Sequence, residues 1–450
     1  MRKLRSDITR EGLARTPHRA FMRAMGLDDA AIQKPMIGVV SMKGEQTPCN
    51  MTHGFQVEAA KEGVAEAGGT PREFTTISVS DGISMNHEGM KFSLVSRELI
   101  ADSIEAVVHG LAYDGLVGFG GCDKTLPGVM MGMVRCNVPS VFIYGGAALP
   151  GRFGERDVTI LDSYEAVGAV LTGAMDEATL ARLERSCLPT VGACAGQFTA
   201  NTMAMVSEAL GLSVPNVSMI PGPYAERAGV ARRAGAIVMR AVANGGPRPR
   251  DIVTRKALEN ACAVVAATGG STNAALHIPA IGHEAGIVFD LDDVAAVLTR
   301  TPLIADLRPG GRFTARDVQQ RSGSRSRPTI REWYPLGPSE LGACVEPRRI
   351  VPQQFAFALF VHVPGGNEPC RFWEMTFAVR IIGSVYQDMI ADEISDHICE
   401  GCTFRNFDAL EIAPALYILA RAMLQLGQCR FNCLGVLVEP QAEGGSKSSR

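Results

Sequence analysis

Short apolar runs alternate with helical segments through the first 150 residues, and the runs end in glycine-rich or acidic turns. MIGVVSMK (36–43) reads as a buried strand, followed by a polar turn through Glu45, Pro48 and Cys49. Residues 54–68 carry apolar side chains at Phe55, Val57, Ala60, Val64 and Ala67, the spacing of an amphipathic helix. FTTISVSDG (74–82) is a β-branched run closed by Asp-Gly, and 97–111 reads as a helix. GLVGFGG (115–121) and SVFIYGG (140–146) are further strands ending in glycine. Strands alternating with helices assemble as a parallel sheet flanked by helices, so the expected class is α/β. In such sheets ligands gather at the carboxyl ends of the strands. Cys49, Asp81 and Cys122 fall there.

From 160 to about 300 the pattern is mostly helical, and no internal repeat stands out. A chain of 450 residues corresponds to roughly two or three domains. The character breaks near 318, where a basic, Ser-rich run (QQRSGSRSRPTIR, 319–331) reads as a linker. Beyond it lie both tryptophans, Trp333 and Trp373, and six of the twelve cysteines. The expected division is therefore 1–318, an α/β domain, and 319–450, a divergent C-terminal segment.

Lys+Arg at 44 against Asp+Glu at 47 leaves a net charge of −3, so no global field favours nucleic acid or an acidic membrane. No apolar stretch is long enough to span a bilayer, which needs about 20 residues. The first residues, MRKLRSDITREGLART, lack the apolar core of a secretory signal. Cysteines in that setting are expected to be reduced, as metal ligands or catalytic groups, in the cytoplasm.

Three cysteines sit in turns rich in glycine or proline: Cys49 in EQTPCN, Cys122 in GFGGCDKTLPG and Cys194 in TVGACAGQFTAN. Spaced 73 and 72 residues apart, they can meet only through the fold. Thiolates from adjacent strand ends can ligate an iron–sulfur cluster or zinc; small buried thiols in tight turns are the plainer reading. Cys136, Cys187 and Cys262 lie in apolar or helical surroundings and read as packing residues. Asp81, Asp123 and Lys124 stand at the same strand ends, where carboxylates suit a hard cation such as Mg²⁺. GGSTNAALH (269–277) offers Ser271 or Thr272 as a helix cap, a place where anions also bind. His87 reads as a loop histidine facing solvent or packing, with contact to substrate or metal the alternative. In the tail, Cys399-x2-Cys402 and Cys429-x3-Cys433 have the spacing of a zinc ribbon, although the spacer between them reads as one apolar helix.

Read in order, PCN (48–50), SVSDGISMNHEGMKFSLVSRELIADSIE (78–105), GFGGCDKTLPG (118–128), GACAGQFTANTM (192–203) and GGSTNAALH resemble the dihydroxy-acid dehydratase family, relatives of the sugar-acid and phosphogluconate dehydratases. The resemblance runs from about Arg5 to Asp317. It implies that Cys49, Cys122 and Cys194 hold a two-iron, two-sulfur (2Fe-2S) cluster, Cys49 being the ligand that relatives with a four-iron cluster lack. It implies that Asp81, Asp123 and a carbamylated Lys124 bind Mg²⁺. The implied reaction is dehydration of a 2,3-dihydroxy acid to a 2-oxo acid in branched-chain amino acid synthesis, by a homodimer. A sugar-acid dehydratase, or an inactive paralogue with a zinc-binding tail, are the alternatives.

The family's C-terminal domain supplies a glutamate from an Arg-Tyr-Glu-Gly-Pro-like segment and a serine base from a Gly-Arg-Phe-Ser-Gly-Gly-like turn. Here GRF at 151–153 and at 311–313 is followed by Gly154 and Thr314, so no catalytic base is identified. Ala195 replaces a usual glycine, and SMKG (41–44) a segment with an aromatic residue and Asn. The expectation is a core that loads its metals and turns over slowly or not at all.

Overall fold

The computed structural model describes residues 3–322. Trp333, Trp373, Cys399, Cys402, Cys429 and Cys433 lie outside the described residues, and with them the expected zinc set and C-terminal segment. The last described helix, Ala315–Ser322, runs across the expected boundary at 318.

Four strands form one wholly parallel sheet in the order β2-β1-β3-β4: β1 (Met36–Ser41), β2 (Thr70–Thr75), β3 (Gly115–Gly120) and β4 (Ser140–Tyr144). Val39 of β1 lies opposite Glu73 of β2 and Val117 of β3, and Val117 in turn opposite Val141 of β4. All residues of β1, β3 and β4 are buried, as expected of strands covered on both faces. Alternation divides them between two cores. Ile37, Val39, Val117, Phe119, Val141 and Ile143 face one side; Met36, Val40, Leu116, Phe142 and Tyr144 face the other.

Ten longer helices follow the chain order: α1 (His53–Glu66), α2 (Lys91–Gly110), α3 (Thr125–Cys136), α4 (Ile160–Leu171) and α5 (Glu177–Cys187). Then come α6 (Thr199–Leu210), α7 (Glu226–Asn244), α8 (Arg255–Ala267), α9 (Ala274–Glu284) and α10 (Leu291–Arg300). Helices α1 and α7 cover the first face through Val57, Val64, Val230 and Val238. Helices α2 and α3 cover the second through Ile100, Ile104, Leu126 and Val129, and α6 and α8–α10 extend that core outward with Met203, Leu258, Ile278 and Val297. A small satellite core of Val158, Ala166, Leu183 and Cys187 joins α4 and α5 to a hairpin of β5 (Gly151–Phe153) and β6 (Arg156–Val158). Among the described residues no helix is long and apolar enough to cross a membrane.

The expected run at 74–82 is not one strand. The chain leaves the sheet after Thr75, and Asp81 opens a one-turn helix, Asp81–Ser84. The strand itself, TPREFT, is an edge strand with half-exposed polar residues, so its apolar signal is weak.

Helices α1 and α7 touch backbone to backbone. A Cβ on Gly63 would stand 2.0 Å from the Arg232 carbonyl oxygen, and one on Gly235 2.5 Å from that of Ala60. Neither neighbour is a side chain that can rotate away. Gly63→Ala is therefore expected to lower the unfolding free energy by about 1–3 kcal/mol through overpacking, read as a lower urea midpoint. An unchanged midpoint would show that the helices separate without cost.

Candidate functional site

The order β2-β1-β3-β4 reverses direction between β1 and β3, which opens a crevice at their carboxyl ends. Cys49 follows β1 on a one-turn helix, Pro48–Met51, and Cys122 follows β3. The two loops meet at Gly121, where a Cβ would stand 2.5 Å from the Cys49 carbonyl oxygen and 3.0 Å from Asn50 Oδ1. Only glycine permits that approach. The Thr125 hydroxyl pins the second loop: it accepts from the N–H groups of Gly121 and Cys122, both at 2.9 Å, and donates to the Cys122 carbonyl at 2.7 Å. The loop bearing Cys194 is laced by main chain to the Cys49 loop and to the segment that follows β4. Ala148 N–H donates to Ala193 at 2.6 Å, Ala193 N–H to Gly146 at 3.0 Å, and Gly192 N–H to Pro48 at 2.9 Å.

The fold thus brings Cys49, Cys122 and Cys194 into one neighbourhood. The hydrogen bond between the Cys122 and Cys49 thiols, then burial, push Cys122 well up from the usual thiol range. Burial, with Cys122 and Asp123 adding to it, pushes Cys194 up to about 12. The other three cysteines among the described residues, Cys136, Cys187 and Cys262, are buried among apolar side chains, as expected from their surroundings.

Beside the thiols is an oxygen-rich set. Lys124 Nζ donates to Asp81 Oδ2 at 2.6 Å and to Asp123 Oδ2 at 3.2 Å. Ser93, in the first turn of α2, donates to the other Asp81 oxygen at 2.7 Å, and Asn273 Nδ2 reaches Asp123 at 3.3 Å and Thr199 Oγ1 at 2.9 Å. Burial raises Asp123 to about 6, against the pull of Lys124 and with the help of Asp81. Burial disfavours the Lys124 ammonium, but Asp123 and Asp81 outweigh it and hold the group above its ordinary value.

Two observations test this chemistry against metals. The Lys124 ammonium is itself a cation held by two carboxylates, so the oxygens already converge on one positive charge, as hard-cation coordination requires. Next to Cys49, the Asn50 side chain is fully buried with both polar atoms lacking partners. Such orphans are rare and point to a polar group that the pocket accepts. Among the described residues no three of His, Cys, Asp and Glu close on a single ion; three thiolates spread over a two-iron cluster need not do so. The residues fit a cluster on the thiol side and a hard cation on the oxygen side.

Each candidate from the sequence that lies among the described residues has a place. Ser271 shares a 2.9 Å hydrogen bond with Thr199 and belongs to the wall of the oxygen set, through Asn273. His87 is exposed, hydrogen-bonded locally to Gly89 and Ile83, in line with the solvent reading. Sequence reasoning missed Asn50, Ser93, Tyr144, Thr199, Asn201 and Asn273. The one signal available for Asn201 was its place in the first turn of a helix, in TANTM.

The N-terminal profile of the dihydroxy-acid/6-phosphogluconate dehydratases matches residues 34–326. The chain is 75% identical over 324 residues to dihydroxy-acid dehydratase 3 of Bradyrhizobium diazoefficiens, covering 72% of this chain and 56% of that protein. It is 63% identical over 323 residues to dihydroxy-acid dehydratase 2 of Bordetella bronchiseptica, covering 72% and 57%. A dihydroxy-acid dehydratase of Parvibaculum lavamentivorans is 54% identical over 321 residues, covering 71% and 56%. The chain spans a little over half the length of the curated relatives it matches.

One buried titratable group beside the crevice has a direct consequence for stability. His53 packs tilted on Phe119 at 5.9 Å, and neither ring nitrogen makes a hydrogen bond of full geometry. Burial lowers it from 6.5 to about 4, opposed by the Gly120 backbone. The folded protein keeps the ring neutral, whereas the unfolded chain takes up a proton below about 6.5. This contribution is complete above pH 6.5 and is lost as the pH falls toward 4, amounting to about 3 kcal/mol at 1.36 kcal/mol per unit. Unfolding free energies measured across that window are expected to fall more steeply in the wild type than in His53→Gln. Equal slopes would assign the loss to other groups.

Proposed function

The chain belongs to the dihydroxy-acid/6-phosphogluconate dehydratase family, and from that premise we propose that it carries the metal sites of a hydro-lyase. The proposed substrate is a 2,3-dihydroxy carboxylic acid such as 2,3-dihydroxy-3-methylbutanoate, converted to its 2-oxo acid in valine and isoleucine biosynthesis. The observation that carries the reading is the pairing, in one crevice, of three thiols, Cys49 and Cys122 buried and Cys194 half-buried, with a carboxylate–lysine set. The relatives are named dihydroxy-acid dehydratases, which favours a dihydroxy acid over a sugar acid.

In this reading Cys49, Cys122 and Cys194 hold a 2Fe-2S cluster, and Asp81, Asp123 and Lys124 hold Mg²⁺. When bound, the two groups supply Lewis acidity, toward the departing C3 hydroxyl and toward the carboxylate and C2 oxygen, without net redox change. The C2 proton and the C3 hydroxyl leave as water, and the resulting enol tautomerises to the 2-oxo acid. Lys124 would serve as a ligand once its ammonium has lost a proton and the free amine has added to CO2 with release of a second proton, giving an anionic carbamate oxygen donor. Ser93 and Asn273 orient the two carboxylates through the hydrogen bonds already made.

The proton-accepting group is the weak point. Gly154 follows the first GRF, and Thr314, which follows the second, is buried with its hydroxyl committed to Asp317 at 2.9 Å. We also propose a homodimer, supported by the exposed apolar residues Ile83, Phe92, Val95 and Leu99 next to the site. We further propose a cytoplasmic setting.

Anaerobic purification with iron and sulfide analysis, and a 2-oxo-acid assay on 2,3-dihydroxy-3-methylbutanoate, test the proposal together. Iron and acid-labile sulfide are expected in about equal amounts, and both should be lost in Cys122→Ser. Turnover is expected about 10²–10⁴-fold below that of a full-length relative, the usual cost of a missing general base. A wild-type chain without iron sinks the cluster assignment; full activity sinks the missing-base argument.

A further inference from the structure

We infer that Tyr144 and Asn201 form a positioning relay that holds the Cys194 loop, and with it the third thiol, against the end of β4. The relay deepens the cluster reading above and rests on it for its spectroscopic test.

Tyr144 is the last residue of β4 and is 1% exposed. Its phenol donates to Asn201 Oδ1 at 2.7 Å. Asn201, also 1% exposed and in the first turn of α6, spends its amide on two carbonyls of the same loop, Cys194 at 2.9 Å and Gly196 at 2.5 Å. An asparagine amide offers two N–H donors, and the two carbonyls it meets are those of Cys194 itself and of the residue two further on. Buried hydrogen-bonded chains of this kind hold one geometry, because a broken link leaves an unsatisfied group behind.

The other end of the relay is anchored as well. Arg227, fully buried at the start of α7, stacks over the Tyr144 ring at 5.4 Å and donates from Nη1 to the Tyr144 carbonyl at 2.9 Å. Its Nε donates to the Ile220 carbonyl at 2.9 Å. Tyr144 is thus held by ring face and main chain, which leaves its hydroxyl as the part facing the loop. Burial, then Cys49, and after the opposing Arg227 also Cys194 and Cys122, keep the phenol protonated. All three thiols therefore bear on it, and it remains a donor.

Tyr144→Phe keeps the ring under Arg227 and removes the donor alone. Full-length protein is to be prepared anaerobically with iron and sulfide, alongside Ser207→Ala, which deletes a buried hydroxyl bonded within α6 to Ala204 at 2.6 Å. In Tyr144→Phe, iron release to a chelator is expected to quicken about 5-fold, the factor that goes with one net hydrogen bond. The visible circular dichroism and reduced-state EPR of the cluster should shift with it, while Ser207→Ala matches the wild type. The cluster-free protein gives an independent reading. Iodoacetamide labelling of Cys194, quantified by peptide mass spectrometry against Cys262, should rise about 5-fold in Tyr144→Phe and in Asn201→Asp. If the wild type binds no iron, the cluster reading falls and the labelling still decides the relay. Unchanged labelling together with unchanged iron release, where iron binds, overturns the relay.

Discussion

The Cys49 carbonyl lies where a side chain on Gly121 would begin, 2.5 Å from its Cβ position. The loops after β1 and β3 therefore meet main chain to main chain, and the rest of the crevice follows from that contact. With the loops pressed together, the Cys122 thiol lies against that of Cys49, and Thr125 can bridge two N–H groups and a carbonyl across one turn. Gly192 N–H then finds the Pro48 carbonyl, which draws in the third cysteine loop. Any residue larger than glycine at 121 would have to part the loops, and the three thiols would part with them.

Burial makes this site costly, and its partners show how the cost is met. A buried charge is tolerated only when paired and hydrogen-bonded. Lys124 meets Asp81 and Asp123, and each carboxylate receives a further neutral donor from Ser93 or Asn273. Arg227 is the contrasting case. Among the described residues it meets no carboxylate in an ion pair but donates to carbonyls of Tyr144, Ser218 and Ile220, and burial pulls it down to about 10. Away from the crevice, buried Arg10 is paired with Asp7 and buried Asp162 with Arg308.

The sheet was legible to different degrees, for physical reasons. Strands β1, β3 and β4 are buried on both faces, so their sequences are continuous apolar runs that stand out without context. Strand β2 is an edge, its TPREFT carrying Arg72 and Glu73 toward partial solvent, and its apolar pattern is correspondingly thin. Helix α3 was not singled out because TLPGVMMGMVRC is buried all round and has no polar face to reveal its period. The site divides in the same way. Asp81, Asp123 and Lys124 stood out as charges at strand ends, whereas gaps of 73 and 72 residues say nothing local about three cysteines. Only the resemblance of long ordered motifs joined them. Asn50, Tyr144 and Asn201 were silent because a polar side chain among apolar ones acquires meaning only when its partner across the fold is known.

Covalent geometry sets the scale of the chemistry. Cys122 belongs to the thiol set and Asp123 to the oxygen set, yet they are neighbours in the chain, with Cα atoms about 3.8 Å apart. The soft and hard donor sets, which suit different metals, therefore cannot drift apart by more than the reach of two short side chains. Thr125 holds the main chain of Cys122, and Lys124 holds the carboxylate of Asp123. Any molecule reached by both sets is therefore held close to this one loop, whose main chain Gly121 and Thr125 keep in place.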